Sequence, residues 1–197
     1  LGLIPDGWEV KRLGDVVDVG SSKRIFLKEY IEKGIPFFRG KEIIQLSKGS
    51  NISTELFISK ERYNEIKDKS GVPLKNDILI SSVGTIGVSW LVENDDPFYF
   101  KDGNLTWIKN YSERVNGNFI SQWLKSNETQ EHIKSETIGS TQQALTISAL
   151  RTLKLTLPPI ESSVVEDVSI KLIQWNELFV ANKKEVQTLT TLRDTLL

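Results

Sequence analysis

The chain has no cysteine, no methionine and a single histidine. Without cysteine there is no disulfide staple, no zinc thiolate site and no thiol nucleophile, a composition that fits a reducing compartment, and the expected location is the cytoplasm. The lone His132, with Glu128 and Glu131 beside it, falls short of the usual zinc ligand set and is read as a surface residue of a helix. No apolar run approaches the roughly 20 residues that a membrane helix requires. Leu1 to Trp8 has neither the basic start nor the apolar stretch of a signal peptide, so no membrane partner is expected. With no methionine, Leu1 is not a translation start as written. The expectation is a trimmed piece of something longer, and half of a duplicated protein fits it.

Excess charge of one sign is missing as well. The 197 residues carry 25 Lys or Arg against 26 Asp or Glu, so the chain as a whole does not advertise nucleic acid. The distribution is uneven: Gly20 to Lys75 holds 12 Lys or Arg against 7 Asp or Glu, whereas Asn76 to Asn104 holds 1 Lys against 5 acids. A local basic side is therefore concentrated in one third of the body.

What is present divides the chain in two. Leu153 to Pro159 reads as a short alternating strand stopped by two prolines, and from Ile160 onward a helical pattern runs about 36 residues, roughly 54 Å. Val165, Val168, Leu172, Trp175, Phe179, Val186, Leu189 and Leu196 recur at the spacing of a coiled-coil seam, which predicts a dimerisation face. Asn182 and Arg193 fall on the same seam, where polar groups fix register or leave the seam solvated. The fold expectation is α+β, with a mixed, β-rich globular domain over 1–158, flanking helices, and a long C-terminal coiled-coil helix over 159–197.

Within the body, Trp8 to Val19 is read as a helix turn or strand, and Gly34 to Gly40 as a strand followed by a polar loop through Ser53. Ser59 to Ile66 is a short helix with Ser59 as its cap. Asp77 to Val92 is two core strands around a small polar turn. Phe98 to Phe100 and Leu105 to Ile108 are strands about a hairpin-like break at Gly103-Asn104. Asn118 to Lys134 is one amphipathic helix, and Gly139 to Gln143 a polar loop.

The common catalytic and nucleotide-binding patterns fail on inspection. Arg39-Gly40-Lys41-Glu42 lacks the Ser or Thr that ends a phosphate-binding loop. Gly84-Thr85-Ile86-Gly87 lacks the third glycine of a dinucleotide loop and leads into a strand rather than a helix. Pro5-Asp6 with Glu9-Val10-Lys11 is too closely spaced to place nuclease residues on adjacent strands. Leu157-Pro158-Pro159-Ile160 lacks the polar and aromatic ends of a base-methyltransferase motif. No catalytic residue, cofactor or metal is expected.

Four segments taken in order do form a pattern: Trp8-x4-Leu13-Gly14-Asp15, Gly34 through Ile43, Asp77 through Gly87, and Gly139 through Gln143 leading to Leu157-Pro158-Pro159-Ile160-Glu161. Together with the terminal helix they resemble, over nearly the whole chain, a target recognition domain of the specificity subunit of Type I restriction-modification enzymes. Two departures stand out. Asn76 replaces a frequent glycine, and it is the residue next best able to take a left-handed turn. Glu161-Ser162 stands where many members have Glu-Gln.

The resemblance implies a non-catalytic DNA reader. Such a subunit carries two recognition domains separated by two conserved helices in an antiparallel coiled coil, each domain reading half of a bipartite site in double-stranded DNA. Methyltransferase (modification) subunits and restriction/motor subunits assemble around it. No internal repeat is present, so this chain supplies one domain and one helix, with a second specificity half, or a second copy in a homodimer, as the missing partner. The alternatives are a coiled-coil adaptor without a DNA role, or the recognition fragment of a single-chain restriction or methyltransferase enzyme.

Base reading needs Arg or Lys for guanine and Asn or Gln for adenine, while hydroxyls, amides and point charges hold phosphates. The candidate DNA-binding residues are Lys23 and Arg24 in a flexible segment, Arg39 and Lys41 flanking Gly40, Ser81, Ser82 and Thr85 around the Val83-Gly84 turn, and Ser140, Thr141, Gln142 and Gln143 in the polar cluster before the last strand.

Overall fold

A computed structural model describes residues 4–50, 52–137 and 143–196. In chain order the first half forms β1 (Glu9–Arg12), β2 (Asp18–Gly20), β3 (Tyr30–Ile31), β4 (Ile35–Phe38), α1 (Gly40–Ser47), β5 (Phe57–Ile58) and α2 (Lys60–Ser70). The second half forms β6 (Ile78–Ser81), β7 (Ser89–Leu91), β8 (Tyr99–Phe100), β9 (Leu105–Lys109), α3 (Gly117–Lys125), α4 (Asn127–Thr137), α5 (Ile147–Thr152), β10 (Lys154–Leu157) and α6 (Val164–Leu196). The α+β expectation holds. No helix among the described residues is long and apolar enough to cross a membrane.

The strands make one antiparallel sheet in the order β2-β9-β6-β7, a second in the order β3-β5-β4-β8 with β4 and β8 parallel, and the two-stranded pair β1-β10. The pleat sorts side chains between cores. Ile78 and Ile80 of β6 point into a cluster with Leu13, Ile120, Leu124, Ile133 and Leu150, while Leu79 between them points into an aromatic cluster of Phe38, Trp90, Phe98, Phe100 and Trp107. Phe37 and Tyr99 turn the other way from Phe38 and Phe100, into a third cluster closed by Tyr63 and Ile66 of α2. Phe38 and Phe98 stack at 4.7 Å, and Phe100 meets Trp107 edge-on at 5.9 Å.

Several local readings match. Trp8 to Val19 is strand, a single 3-10 turn and strand again, and β1 pairs with β10 so that the amino terminus is stitched to the strand before the long helix. Ser59 caps α2 by accepting the Arg62 N–H at 3.1 Å. Asn76 adopts φ 73°, the left-handed turn for which it was the best non-glycine candidate. Along β10, Leu155 and Leu157 are buried while Lys154 is exposed.

Other readings are corrected. The polar stretch read as loop through Ser53 begins as helix: Ile43, fully buried, anchors α1, the Glu42 carboxylate accepts the Arg39 N–H at 2.8 Å to start it, and only its described residues after Ser47 are irregular. Asn118 to Lys134 is two helices, because Ser126 leaves helical geometry at ψ 147° and its hydroxyl accepts the Thr129 N–H to begin α4. Gly103-Asn104 joins no hairpin. β8 pairs with β4, whereas β9 pairs with β6 and β2, so the turn carries the chain from one sheet to the other. Residues 147–152 form α5, capped by Thr146, where no helix was expected.

The terminal helix begins at Val164, four positions after Ile160, with Glu166 and Asp167 in its first turn, where the helix dipole favours acids. Ser162, at the second family departure, accepts the Val164 N–H at 3.3 Å. α6 rests on α3 through buried Ser169, which accepts from Asn116 at 2.7 Å, and through Asn176, which donates to Asn118 at 3.4 Å.

Gly117 is a tight joint between the start of α3 and the turn at Asn76 that precedes β6. A Cβ there would drive into the carbonyl oxygen of Asn76, which is itself held by the Tyr111 hydroxyl at 2.8 Å. Gly117→Ala is expected to cost about 2–3 kcal/mol by overpacking, lowering the melting temperature by roughly 2–4 °C per kcal/mol. Gly40→Ala, where a Cβ meets nothing within 4 Å, is the control and should melt near the parent.

Candidate nucleic-acid interface

Strand direction brings the candidate segments to one rim. In the central sheet Ser81 pairs with Leu105, Ile80 with Ser89, and Gly20 with Trp107, so the ends of β6 and β2 and the starts of β7 and β9 lie together. In the neighbouring sheet β4 and β8 run parallel and finish together at Phe38 and Phe100, and the Lys101 N–H donates to Phe38 O at 2.8 Å. Residues 101–104 join the two rims, since they connect the end of β8 to the start of β9.

That connector is bonded to its neighbours on either side. Arg24 Nε donates to Asp102 at 2.9 Å, and the Ser82 N–H donates to Asn104 O at 2.9 Å. The segment at Lys23 is pinned by its N–H on the Tyr99 hydroxyl at 2.7 Å. Val83 and Ala144 form an antiparallel bridge, and the Leu145 N–H donates to Ser82 O at 2.9 Å, which brings exposed Gln143 beside the 82–88 loop. Ser140, Thr141 and Gln142 lie outside the described residues.

The candidates differ in what their side chains already hold. Ser81 is fully buried, accepts the Val88 N–H at 3.0 Å and donates to Thr85 O, shaping the loop from inside. Ser82 shares a buried hydrogen bond of 2.6 Å with Thr106. Thr85 is exposed at the tip beside Gly84, whose φ of 77° is left-handed. Lys23 and Lys41 are exposed, with Lys41 Nζ 3.9 Å from Glu42. Arg39 is half-buried and engaged: its guanidinium meets Glu42 at 3.1 Å, and Glu42 is wholly buried. Burial works to raise the Glu42 pKa, but the hydrogen bonds from the Arg39 side chain and N–H outweigh it and hold the carboxyl below its ordinary range.

Sequence reasoning missed Lys101, Asp102 and Asn104 as parts of this rim. The polar run 101–104 was visible, but a hairpin reading kept it away from Arg24 and Ser82. Among the described residues no group of three or more His, Cys, Asp or Glu is placed to hold a metal ion.

The seam positions divide by exposure. Val165 and Leu172 are half-buried toward the body, whereas Val168, Trp175, Phe179, Val186, Leu189 and Leu196 are exposed, Trp175 at 73%. Asn182 is exposed, and Arg193 pairs with Asp194 at 2.6 Å. Ile170, Leu178, Val180 and Leu192 are also exposed, off that seam, so α6 offers apolar surface on more than one side.

A family model described as the Type I restriction modification DNA specificity domain matches residues 5–195, and the chain belongs to that family. It is 31% identical over 158 residues to a putative type I restriction enzyme specificity subunit of Haemophilus influenzae, covering 78% of this chain and 37% of that relative. A type I restriction enzyme specificity subunit of Methanocaldococcus jannaschii is 26% identical over 208 residues, covering 97% of this chain and 47% of the relative. The chain thus spans less than half the length of these curated relatives. The crystal structure of a Type I restriction-modification S subunit from M. genitalium shares the fold at a TM-score of 0.61 and 18% identity, over 97% of this chain and 45% of that one.

Arg39→Ala leaves the buried Glu42 carboxylate with only the more distant Lys41 Nζ, 3.9 Å away, and the expected loss is about 3 kcal/mol, the low end for a buried pair because the Arg39 side chain is 35% exposed. Since the folded-state pKa of Glu42 is the depressed one, the pair's contribution is complete above the unfolded-state pKa and disappears as pH falls through the folded value. Urea denaturation of parent and variant should therefore show a stability gap at neutral pH that narrows in acid. A gap unchanged by pH would contradict this role.

Proposed function

We propose that this chain is the sequence-specific recognition component of a Type I restriction-modification complex, reading one half of a bipartite target in double-stranded DNA. The observation that carries the reading is the convergence of 21–24, 39–41, 82–88 and 101–104, with Gln143, on one rim. Three of the segments hold cations, namely Lys23 and Arg24, Arg39 and Lys41, and Lys101, and the loops between them offer hydroxyls and amides suited to phosphates and base edges. The subunit is non-catalytic and needs no cofactor. It directs methyltransferase subunits, and through them the restriction/motor subunit, to its target.

Residues 1–158 act as the reader and 159–197 as the spacer. The 33 residues of α6 extend about 50 Å, enough to separate two readers by the roughly 34–36 Å of one DNA turn. Its exposed seam takes the corresponding helix of a second specificity half, or of a second copy in a homodimer, and the apolar positions off the seam leave a further side for the methyltransferase. The near-neutral charge means that the chain alone has little non-specific affinity and works as part of the assembled complex.

Methylation mapping of genomic DNA from cells holding this subunit and its methyltransferase should reveal a bipartite modified motif; a continuous motif, or none, would count against the reading. Inserting four residues into the exposed part of α6 lengthens it by about 6 Å. The unspecified spacer of the target should then grow while both half-sites stay the same, and an unchanged spacer would rule out the ruler.

A further inference from the structure

Lys23 and Arg24, at the rim, face one flank of α2 across a concavity of about 240 Å³ lined also by Arg62, Glu65, Ile66, Lys69 and Ser70. Four cations share this space with one carboxylate. Glu65 is held between Arg62 and Lys69, at 2.8 and 2.9 Å, and these partners keep its pKa below the ordinary range. Arg24 and Arg62 also meet acids outside the lining: Arg24 Nε donates to Asp102 at 2.9 Å from a largely exposed side chain, and Arg62 lies at ion-pair distance, 2.8 Å, from Glu29. Lys23 has no ion-pair partner among the described residues; only its N–H is engaged, on Tyr99.

α2 is held to the body by buried Tyr63 and Ile66, and beside its flank the carboxylates of Glu29, Glu65 and Asp102 pair with Arg24, Arg62 and Lys69, which leaves Lys23 as the excess positive charge of the concavity. The concavity is open to solvent at Lys23 and Lys69 and runs into the rim through Arg24 and its bond to Asp102.

We infer that this concavity is a docking site for one backbone phosphodiester of the DNA, placed beside the reading loops, where Lys23 and Lys69 supply the charge and Arg24 and Arg62 line the walls. The inference rests on the DNA-reading proposal and deepens it. A phosphate held here carries no sequence information but sets the register in which the 82–88 loop and Gln143 meet the bases.

The test uses the protein assembled with its methyltransferase and compares Lys23→Gln and Lys69→Gln on matched and mismatched duplexes over a range of salt. Both side chains are exposed, so melting temperatures of the variants serve as a folding control. Each substitution should weaken matched and mismatched duplexes by the same factor, and the two together should flatten the dependence of log Kd on log salt by about 0.9, the share of one phosphate contact. A neutral methylphosphonate placed at successive backbone positions should reproduce the loss at one position, and there the lysine substitutions should add nothing further.

A loss confined to the matched duplex would make these base-reading lysines and overturn the inference, as would an unchanged salt slope. Stabilisation of the parent by inorganic phosphate, abolished by both substitutions while DNA binding is unaffected, would assign the site to a free anion and overturn it too. Failure of the unsubstituted complex to bind any duplex would remove the DNA-reading proposal and this inference with it, whereas binding that ignores both substitutions would remove the inference alone.

Discussion

Burial of β6 on both faces is the constraint on which the rest of the structure depends. All four residues of Ile78–Ser81 are buried, with Ile78 and Ile80 in one core and Leu79 in another. Each such side chain contributes about 1.5–3 kcal/mol when withdrawn from water, and a slip of one residue would exchange the faces of all of them at once. The pairing of β6 with β7 and β9 is therefore held by packing on two sides. That register places Ser81 at the end of the strand, where its hydroxyl turns inward to shape the loop that follows. The position of the candidate interface is in this sense a by-product of how the core alternates.

The second sheet reaches the same rim through residues 101–104. Tyr99 and Phe100 point to opposite clusters, so β8 is locked beside β4, and the next residues must cross to the central sheet. The crossing draws in Arg24 through Asp102 and the 82–88 loop through Asn104. It also separates two kinds of cation. Arg39 is tied to a buried glutamate and braces the start of α1, while Lys23 and Lys41 remain exposed. A rim that combines braced groups with exposed ones can hold its shape and still offer charge to a polyanion.

The long helix obeys a different balance. Near its start, hydrogen bonds from Asn116 to Ser169 and from Asn176 to Asn118 fasten it to α3, and Val165 and Leu172 are half-buried. From Ala181 to Leu196 every residue whose side chain is described is exposed, although Val186, Leu189, Leu192 and Leu196 are apolar. An isolated helix of this kind draws little stability from propensity alone, and the half of α6 beyond Ala181 gains none from burial against the described body.

Much of the local structure was legible in the residues. Ser59 capping α2, the left-handed Asn76, the alternation of β10 and the two strands around Gly84 all follow from interactions within a few positions, which a sequence displays directly. The failures share a cause in long-range contacts. Eight-residue α1 is too short to announce itself and depends on Ile43 reaching a core made elsewhere, Ser126 interrupts a pattern that looked continuous, and α5 packs against a 3-10 turn more than 130 positions earlier in the chain. Turn chemistry at Gly103-Asn104 was visible, but whether it joined a hairpin or crossed between sheets rested on β4, which comes some 60 residues before it. The same holds for the candidate interface. Each polar or basic segment could be picked out alone, because residue type reports chemistry, and only the pairing of distant strands brought those segments together, because proximity depends on burial summed over the whole core.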